Sequence, residues 1–405
     1  MKSTRIDMSR HLSIPIGAIK FFGLWFYIPY PIKSIRFWTN ILSRVILGIV
    51  VFVIPTSGQL VYVVRLIMSG NADITEVAGI INLVLTELLA SLRLLDLRFR
   101  RDLLTKLCDQ LMDEEFQCYL KPQQAILEKA ITVSRSMFVI LFFFIAVHVI
   151  VVPALKGFES LPLKMDLVLF DVNDEKYFNY ICAYQILFKP MMLTTFVALQ
   201  ILPWASMTCA ISQLDVLIYN FENMNELVKA TAAERHCNEN EAFKQIFKRC
   251  VLHHCSILRF VESIQEAFGG QLSSTLFMSA GIIGTTAVQI FSIESPLNNL
   301  TEVIWVMAYL SIFITNLFID CYFGNSITVK SMHVATAVYS CPWIELPNDL
   351  KKNLVLFIAK TQRPLVIIAV KLVPVSLETF TKVAFRGFYQ REKGCHFDAI
   401  KTLAT

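Results

Sequence analysis

Seven long runs of apolar residues divide this chain of 405 residues, and they constrain its fold more than any other feature. A run of about 20 apolar residues can cross the hydrocarbon core of a bilayer as one helix. The weakest run is the seventh, which is interrupted by Lys371, Lys382 and Arg386, so we expect protein or water rather than lipid around it. The chain is therefore predicted to be an all-α, polytopic membrane bundle of seven transmembrane helices, at residues 37–68, 74–95, 134–155, 177–204, 271–291, 300–323 and 364–388.

Composition agrees with a membrane domain and excludes several other classes. Only 17% of the residues are charged and 55% are hydrophobic, whereas a soluble domain carries about a quarter charged residues. The formal net charge of +5 is spread along the chain, and no dense basic block predicts a nucleic-acid partner. The ten cysteines have no even spacing, so we expect free thiols rather than a disulfide framework.

The distribution of Lys and Arg predicts the orientation of the bundle. Basic residues concentrate in 1–36 and in the loops after the second, fourth and sixth runs. The opposite loops hold only Lys156, Lys164 and Lys176. By the positive-inside rule, the N-terminal segment is cytosolic. This orientation is opposite to that of a G-protein-coupled receptor.

The loops also differ in length. Residues 205–270 and 324–363 are predicted to be cytosolic and helical. The first of these loops is rich in helix formers, and its Leu214, Leu217 and Phe221 fall at helical spacing. We expect the fourth and fifth helices to continue past the bilayer and pack together, forming a cytosolic anchor region where subunits meet. A monomer with long helical loops is the alternative. On the other side, the acidic loop 156–176 is predicted to form a lid over an outer cavity.

The last third of the chain carries a specific motif. It reads Val-Tyr-Ser-Cys-Pro-Trp-Ile-Glu-Leu-Pro over 338–347, then Gln-Arg-Pro-Leu over 362–365, and Leu-Glu-Thr-Phe over 377–380. This pattern resembles the signature of the insect odorant receptor family. Pro364 favours a break between a cytosolic helix and a spanning one.

The resemblance implies a function for the whole chain. It implies an odorant-gated, non-selective cation channel in the plasma membrane of olfactory sensory neurons, assembled as a tetramer with a shared co-receptor. The ligand is a small volatile molecule, and neither a catalytic residue nor a cofactor is expected. The seventh helix is implied to line the pore, where we assign Thr379, Phe380 and Val383.

One departure from the family pattern concerns the tail. The family's last helix continues with aliphatic and aromatic residues, whereas residues 386–405 are polar and charged here. Such a tail cannot form the outer half of an apolar helix cheaply. It is a real variant, the product of an alternative exon, or an error in the gene model. An odorant-binding subunit that does not conduct is therefore kept as an alternative.

The resemblance places the odorant pocket in the outer half of the bundle, among the second, third, fourth and sixth helices. Odorants are small and mostly apolar, so the site should be aromatic with few polar groups. Core packing or an interfacial aromatic belt is the alternative role for such residues. By position and chemistry, the candidates are Asn82, Phe144, His148, Tyr184, Phe188, Trp305 and Tyr309.

Two charges inside predicted spans, Glu87 and Lys189, indicate a structural pair, snorkelling toward water, or an ion path. Near Cys250, His253 and His254, too few ligands share one helix face for us to predict a metal site. Enzyme fingerprints such as a P-loop or HExxH are missing from the sequence. A polytopic transporter is a further alternative, although the inverted repeats that it predicts are not found.

Overall fold

The structure, a computed structural model, describes residues 10–22, 34–70, 73–118, 120–147, 164–166, 175–293, 300–369 and 372–384. In that part of the chain, six helices are long and apolar enough to cross a membrane. They correspond to the first six predicted runs, and with a shorter helix over 377–384 they form an all-helical bundle that fits seven spans. The third of them begins at Lys121, well before the predicted start at residue 134, and the predicted residues 148–155 lie outside the described ones.

The helices are labelled in chain order. They are α1 (Arg10–Phe21), α2 (Ile35–Gly48), α3 (Ile54–Met68), α4 (Ile74–Phe99), α5 (Arg101–Gln110), α6 (Lys121–Ala146), α7 (Glu175–Glu222), α8 (Met224–Arg235), α9 (Glu239–Ser292), α10 (Leu300–Tyr339), α11 (Asn348–Thr361) and α12 (377–384). A π-helical segment (Ile49–Val53) joins α2 to α3, and a 3-10 turn (Glu114–Phe116) precedes α6. Two short antiparallel strands, β1 (Ile368–Ala369) and β2 (Val373–Pro374), precede α12.

The first span changes helix type ahead of Pro55. Proline has no N–H and its ring clashes with the carbonyl four residues earlier, so a regular α-helix cannot pass through it. The chain widens into the π-helical segment just before this point. Thr56 Oγ1 lies 2.7 Å from the carbonyl oxygen of Phe52, which satisfies a backbone group near the break. The first predicted run thus crosses as α2 and α3 joined end to end.

A second proline break is satisfied from a neighbouring helix. Pro203 lies inside α7 and leaves the carbonyl of Leu199 without its usual helical donor. Gln271 of α9 fills that role, because its Nε2 donates to Leu199 O at 2.6 Å. In hydrocarbon every backbone group needs a partner, so this bond fixes where α9 packs on α7.

Three helices are much longer than a bilayer is thick. At 1.5 Å per residue, the 54 residues of α9 extend for about 81 Å, against a hydrocarbon core of about 30 Å. The prediction that the fourth and fifth helices run on past their apolar runs is confirmed. Their extensions share a buried aromatic cluster, in which the ring of Phe357 from α11 lies 5.7 Å from the rings of both Phe221 and Phe247.

The prediction of one helix over 364–388 is wrong at its start. Between α11 and α12 the chain is extended, and β1 and β2 pair Ile368 with Pro374. The backbone N–H of Val375 donates to Ile367 O at 2.8 Å. Pro364 and Pro374 have no amide hydrogen to give to a helix, which favours this hairpin. The helix begins at residue 377, and 385–388 lie outside the described residues.

Candidate functional site

A buried asparagine joins three helices near the Ile74 end of α4. Asn82 is 2% exposed, and its Nδ2 donates to Thr286 Oγ1 of α9 at 3.1 Å. Thr285 donates its hydroxyl to Asn82 Oδ1. Both ends of the amide are therefore used to hold α4 against α9.

The same asparagine is bonded to α10 through its backbone. Tyr309 donates its hydroxyl to Asn82 O at 2.9 Å, and this hydroxyl also contacts Thr86 Oγ1. The Tyr309 ring packs on Phe313 with centroids 5.0 Å apart. Two predicted site residues, Asn82 and Tyr309, are thus in direct contact.

A buried carboxylate lies five residues, about one and a half turns, further along α4. Glu87 accepts from Gln59 Nε2 at 2.8 Å, and Thr56 Oγ1 lies 2.8 Å from its other oxygen. Lys189 interacts with Glu87 electrostatically, although the two are not in ion-pair contact in the described part of the chain. The hydrogen bonds to Glu87 come from α3, and the roles predicted for this pair of charges stay predictions.

Aromatic residues of α7 border the same carboxylate. Tyr184 donates its hydroxyl to Val50 O in the π-helical segment, and its ring lies 4.8 Å from that of buried Phe188. Glu87 interacts electrostatically with both Tyr184 and Tyr309. Of the predicted site residues, Tyr309 therefore contacts Asn82 directly, and Tyr184, which packs on Phe188, lies near Glu87.

The other three predicted residues are placed differently. Phe144 is 47% exposed on α6. Trp305 is half-buried on α10, where it also interacts with another group of the protein. His148 lies outside the described residues. Assignment of all seven side chains to an odorant pocket stays a prediction.

Sequence reasoning missed the polar partners of these residues. Thr86 lies one turn from Asn82, and Thr285 and Thr286 interrupt the fifth apolar run. Thr56 and Gln59 interrupt the first run in the same way. A hydroxyl or amide within an apolar run was the available signal, because such groups need a partner when buried.

A short extended segment covers α3 beside this site. The N–H of Asp166 donates to Gly58 O at 3.0 Å, and its carboxylate lies 3.3 Å from Arg65. Lys164 Nζ is 2.6 Å from Glu76 Oε1 of α4. Met165 between them is 1% exposed, and its Cε would lie 2.9 Å from a Cβ at Gly58. This segment belongs to the loop that the sequence predicts to be a lid. The absence of a side chain at Gly58 leaves space for the side chain of Met165.

Charged and sulfur groups outside the spans have structural roles. Asp73 caps α4 by accepting from Thr75 N and Thr75 Oγ1, and these bonds lower the pKa of Asp73. Burial raises the pKa of Cys118 to about 12 and that of Cys341 to about 12, so both stay protonated thiols. The nine cysteines within the described ranges are free.

The two adjacent histidines of α9 contact residues of neighbouring helices. His253 lies 2.8 Å from Gln213 Oε1 on α7, and the ring of His254 lies 5.2 Å from that of Phe357. Among the residues with described positions, no group of His, Cys, Asp and Glu is arranged to hold a metal ion.

The predicted pore residues lie on the side of α12 that contacts its own bundle. Thr379 donates its hydroxyl to Pro374 O at 2.6 Å, and the ring of Phe380 lies 5.4 Å from that of Phe318 on α10. Val383 is partly buried against the core. Thr381 and Lys382 are exposed on this short helix. The pore assignment stays a prediction, and the two faces of α12 can be tested separately.

Comparison with known proteins identifies the family. The family model described as 7tm Odorant receptor matches residues 73–385. Odorant receptor Or2 of Anopheles gambiae is 25% identical over 206 residues, covering 50% of this chain and 53% of that protein. Odorant receptor 46a, isoform B, of Drosophila melanogaster is 21% identical over 308 residues, covering 74% and 77%. The chain matches only about half, or less, of the length of several such relatives, Or2 among them.

A solved structure shows the same fold. The olfactory receptor OR5 of Machilis hrabei superimposes with a TM-score of 0.72 at 15% identity, covering 93% of this chain and 95% of that one. Its complex with eugenol gives the same TM-score. The fold therefore places the chain in the class of helical membrane bundles. The chain belongs to the insect odorant receptor family, which is a family of receptors rather than of enzymes.

Proposed function

We propose that this chain is the odorant-binding subunit of an odorant-gated, non-selective cation channel. The observation that carries the proposal is that Asn82 and Glu87, both buried on α4, are hydrogen-bonded to neighbouring helices, while Tyr184, which packs on Phe188, lies near Glu87. Ligand sites of this kind combine aromatic walls with a few oriented polar groups. A ligand opens such a channel when it binds the open state more tightly than the closed one.

The proposed ligand is a small volatile molecule, largely apolar, with one hydrogen-bonding group. Tyr184 and Phe188 would supply aromatic contact, and the Asn82–Tyr309 pair would supply the polar one. Phe144, His148 and Trp305 complete the pocket in this proposal. We assign neither a catalytic group nor a cofactor to it.

The proposed topology places the N-terminus in the cytosol and the candidate site in the outer half of the bundle. Support comes from the Lys and Arg asymmetry of the loops. The plasma membrane of olfactory sensory neurons is the proposed location. The site would then face incoming odorant, beneath the segment that contains Met165.

The proposed partner is the odorant receptor co-receptor, in a hetero-tetramer. The co-receptor of Aedes aegypti is itself 28% identical to this chain over 141 residues. Residues 205–270 and 324–363 are the proposed cytosolic assembly region. Exposed apolar side chains there include Ile344, Val355 and Leu356, which fit burial against another subunit.

The experiment is co-expression of the full chain with the co-receptor, followed by recording during application of a panel of volatile compounds. Odorant-evoked cation current supports the channel. Odorant binding without current, at normal surface level, supports the non-conducting alternative, in which the tail 386–405 does not complete a pore helix. Solute flux without current would indicate a transporter.

Tyr309→Phe is expected to weaken the odorant response. The change removes one hydroxyl that bonds Asn82 O and contacts Thr86, while the ring stays. In the proposal this hydroxyl also bonds the odorant, and losing that bond costs about 1 kcal/mol, which corresponds to a shift of about five-fold in the half-maximal odorant concentration. The matched control is Tyr322→Phe on the same helix, where the side chain is 48% exposed. An equal shift in both variants would contradict the role given to Tyr309.

Val383→Cys is expected to lose current when a thiol-reactive methanethiosulfonate reagent is applied with odorant. A bulky adduct on a pore-lining residue obstructs ion flow. Thr381→Cys, on the exposed face of α12, is the comparison, and the unsubstituted chain controls for native thiols. Block at position 381 alone would assign the pore to the other face of the helix.

A further inference from the structure

A second buried polar cluster lies deeper in the bundle, where α4, α7, α9 and α10 meet. Its centre is Arg93 of α4, which is 1% exposed. Arg93 Nη2 donates to Thr275 Oγ1 of α9 at 2.7 Å. The guanidinium carbon lies 5.4 Å from the centre of the Phe196 ring of α7. Arg93 is six residues beyond Glu87, about 9 Å further along α4, so this cluster is separate from the candidate odorant site.

The opposite charge comes from α10. Asp320 is buried, and its Oδ1 accepts from Trp204 Nε1 at 2.5 Å and from Gln200 Nε2 at 3.2 Å. Arg93 and Asp320 attract each other electrostatically. They are nevertheless more than 4.0 Å apart, since they form no ion pair in the described part of the chain. The two buried charges are thus not in direct contact, and both would gain from being bridged.

The cluster contains several polar atoms that have no partner among the described residues. The unpartnered donors are Arg93 Nε and Nη1 and Asn316 Nδ2; the unpartnered acceptors are Asp320 Oδ2, Gln200 Oε1 and Asn316 Oδ1. Ser279 Oγ is also unpartnered. Asn316 lies one turn from Asp320 on α10, and Ser279 one turn from Thr275 on α9, so each extends the cluster along its helix.

We propose that this cluster binds ordered water molecules that bridge Arg93 to Asp320. A buried polar atom without a partner costs roughly 1–3 kcal/mol, and buried waters typically make about three hydrogen bonds to such atoms. The unpartnered set mixes donors and acceptors in equal number. Water can both donate and accept, whereas an anion would leave the three acceptors unmatched and a cation would be repelled by Arg93.

The inference has a consequence for the bundle. Four helices meet here through a hydrated contact instead of a dry, interlocking one. Water molecules reorganise their hydrogen bonds more easily than packed side chains change rotamers. At the Arg93 cluster, α10 can therefore shift against α4 while both buried charges keep hydrogen-bond partners.

Hydroxyl-radical footprinting tests the proposal directly. Radicals generated from bound water by a short X-ray pulse oxidise the side chains beside it. The sample is the full chain, purified with the co-receptor, and the products are read by mass spectrometry. Trp204 is fully buried but bonded to Asp320, so we expect it to be oxidised at least five-fold faster than Met224. Met224 is equally buried, and methionine reacts with the radical about as readily as tryptophan does.

A variant provides the second measurement. Arg93→Leu combined with Asp320→Leu removes both charges and should slow oxidation of Trp204 at least three-fold. The control is Asp215→Leu with Lys330→Leu, which removes a contacting charge pair elsewhere in the molecule. Oxidation of Trp204 no faster than that of Met224 in the unsubstituted chain would overturn the proposal, whether or not the variant folds. Neither measurement depends on a response to odorant.

Discussion

Gly324→Ala is expected to abolish odorant-evoked current. Gly324 lies on α10 against the end of the hairpin that leads into α12. A Cβ at this position would lie 2.9 Å from Val375 Cγ1 and would overlap the carbonyl oxygen of Val375. That oxygen belongs to backbone, and the N–H of the same residue is bonded to Ile367 O at 2.8 Å. The hairpin must therefore separate from α10, which displaces the helix that we propose lines the pore.

The matched control is Gly284→Ala on α9. A Cβ there meets no atom within 4 Å, and alanine is favoured over glycine in a helix interior by about 1 kcal/mol. The same chemical change should thus be neutral or stabilising at position 284 and disabling at position 324. Surface biotinylation and recorded current, measured together, separate loss of folding from loss of conduction. Normal current from Gly324→Ala would show that α10 and the hairpin are not tightly packed in the membrane.

Glu87→Ala is expected to reduce the surface level of the chain at least five-fold. The carboxylate is bonded to Gln59 and Thr56 of α3 and attracts Lys189 of α7. Removing it leaves buried Gln59 Nε2 without its acceptor and removes the attraction to Lys189, at a cost of roughly 2–4 kcal/mol. A marginally stable protein shows such a cost as lost abundance in cells.

Glu87→Gln separates hydrogen bonding from charge. Glutamine keeps an acceptor for one of the two neighbours but gives up the attraction to Lys189. If hydrogen bonds to α3 dominate, Gln restores at least half of the surface level that Ala loses. Equal loss in both variants would assign the effect to the charge, and normal surface levels of Glu87→Ala would contradict the structural role of this residue.

The spans were predictable because each is a continuous apolar run long enough to cross a bilayer. The extension of α7 and α9 past those runs was also predictable, since apolar residues continue there at helical spacing. The start of the seventh helix was not. Hydropathy does not distinguish an apolar hairpin from a helix, and only the contact between Val375 and α10 shows where the extended segment ends.

The candidate site was predictable in its chemistry but not in its connections. A lone Asn82 in an apolar run, and an aromatic stripe on α7, were visible in the sequence. Their partners lie far away along the chain: Thr286 is separated from Asn82 by 204 residues. Periodicity within one helix carries no information about which face of another helix it meets. The pairing of α4 with α9 therefore had to come from the structure.

The great length of α9 gives it the mechanical properties of a lever. A rigid rod of about 81 Å that tilts by about 3° moves its far end by roughly 4 Å, close to one step of a helical turn. A ligand that shifts the Asn82 end by a fraction of an ångström would therefore produce a displacement several times larger at the other end. Gln265, on the same helix, is hydrogen-bonded to the hairpin: it donates to Ile368 O at 2.6 Å and accepts from Ile368 N at 2.7 Å. Gln265 lies at the middle of α9, so about half of the displacement of the far end would reach the segment that starts the seventh helix.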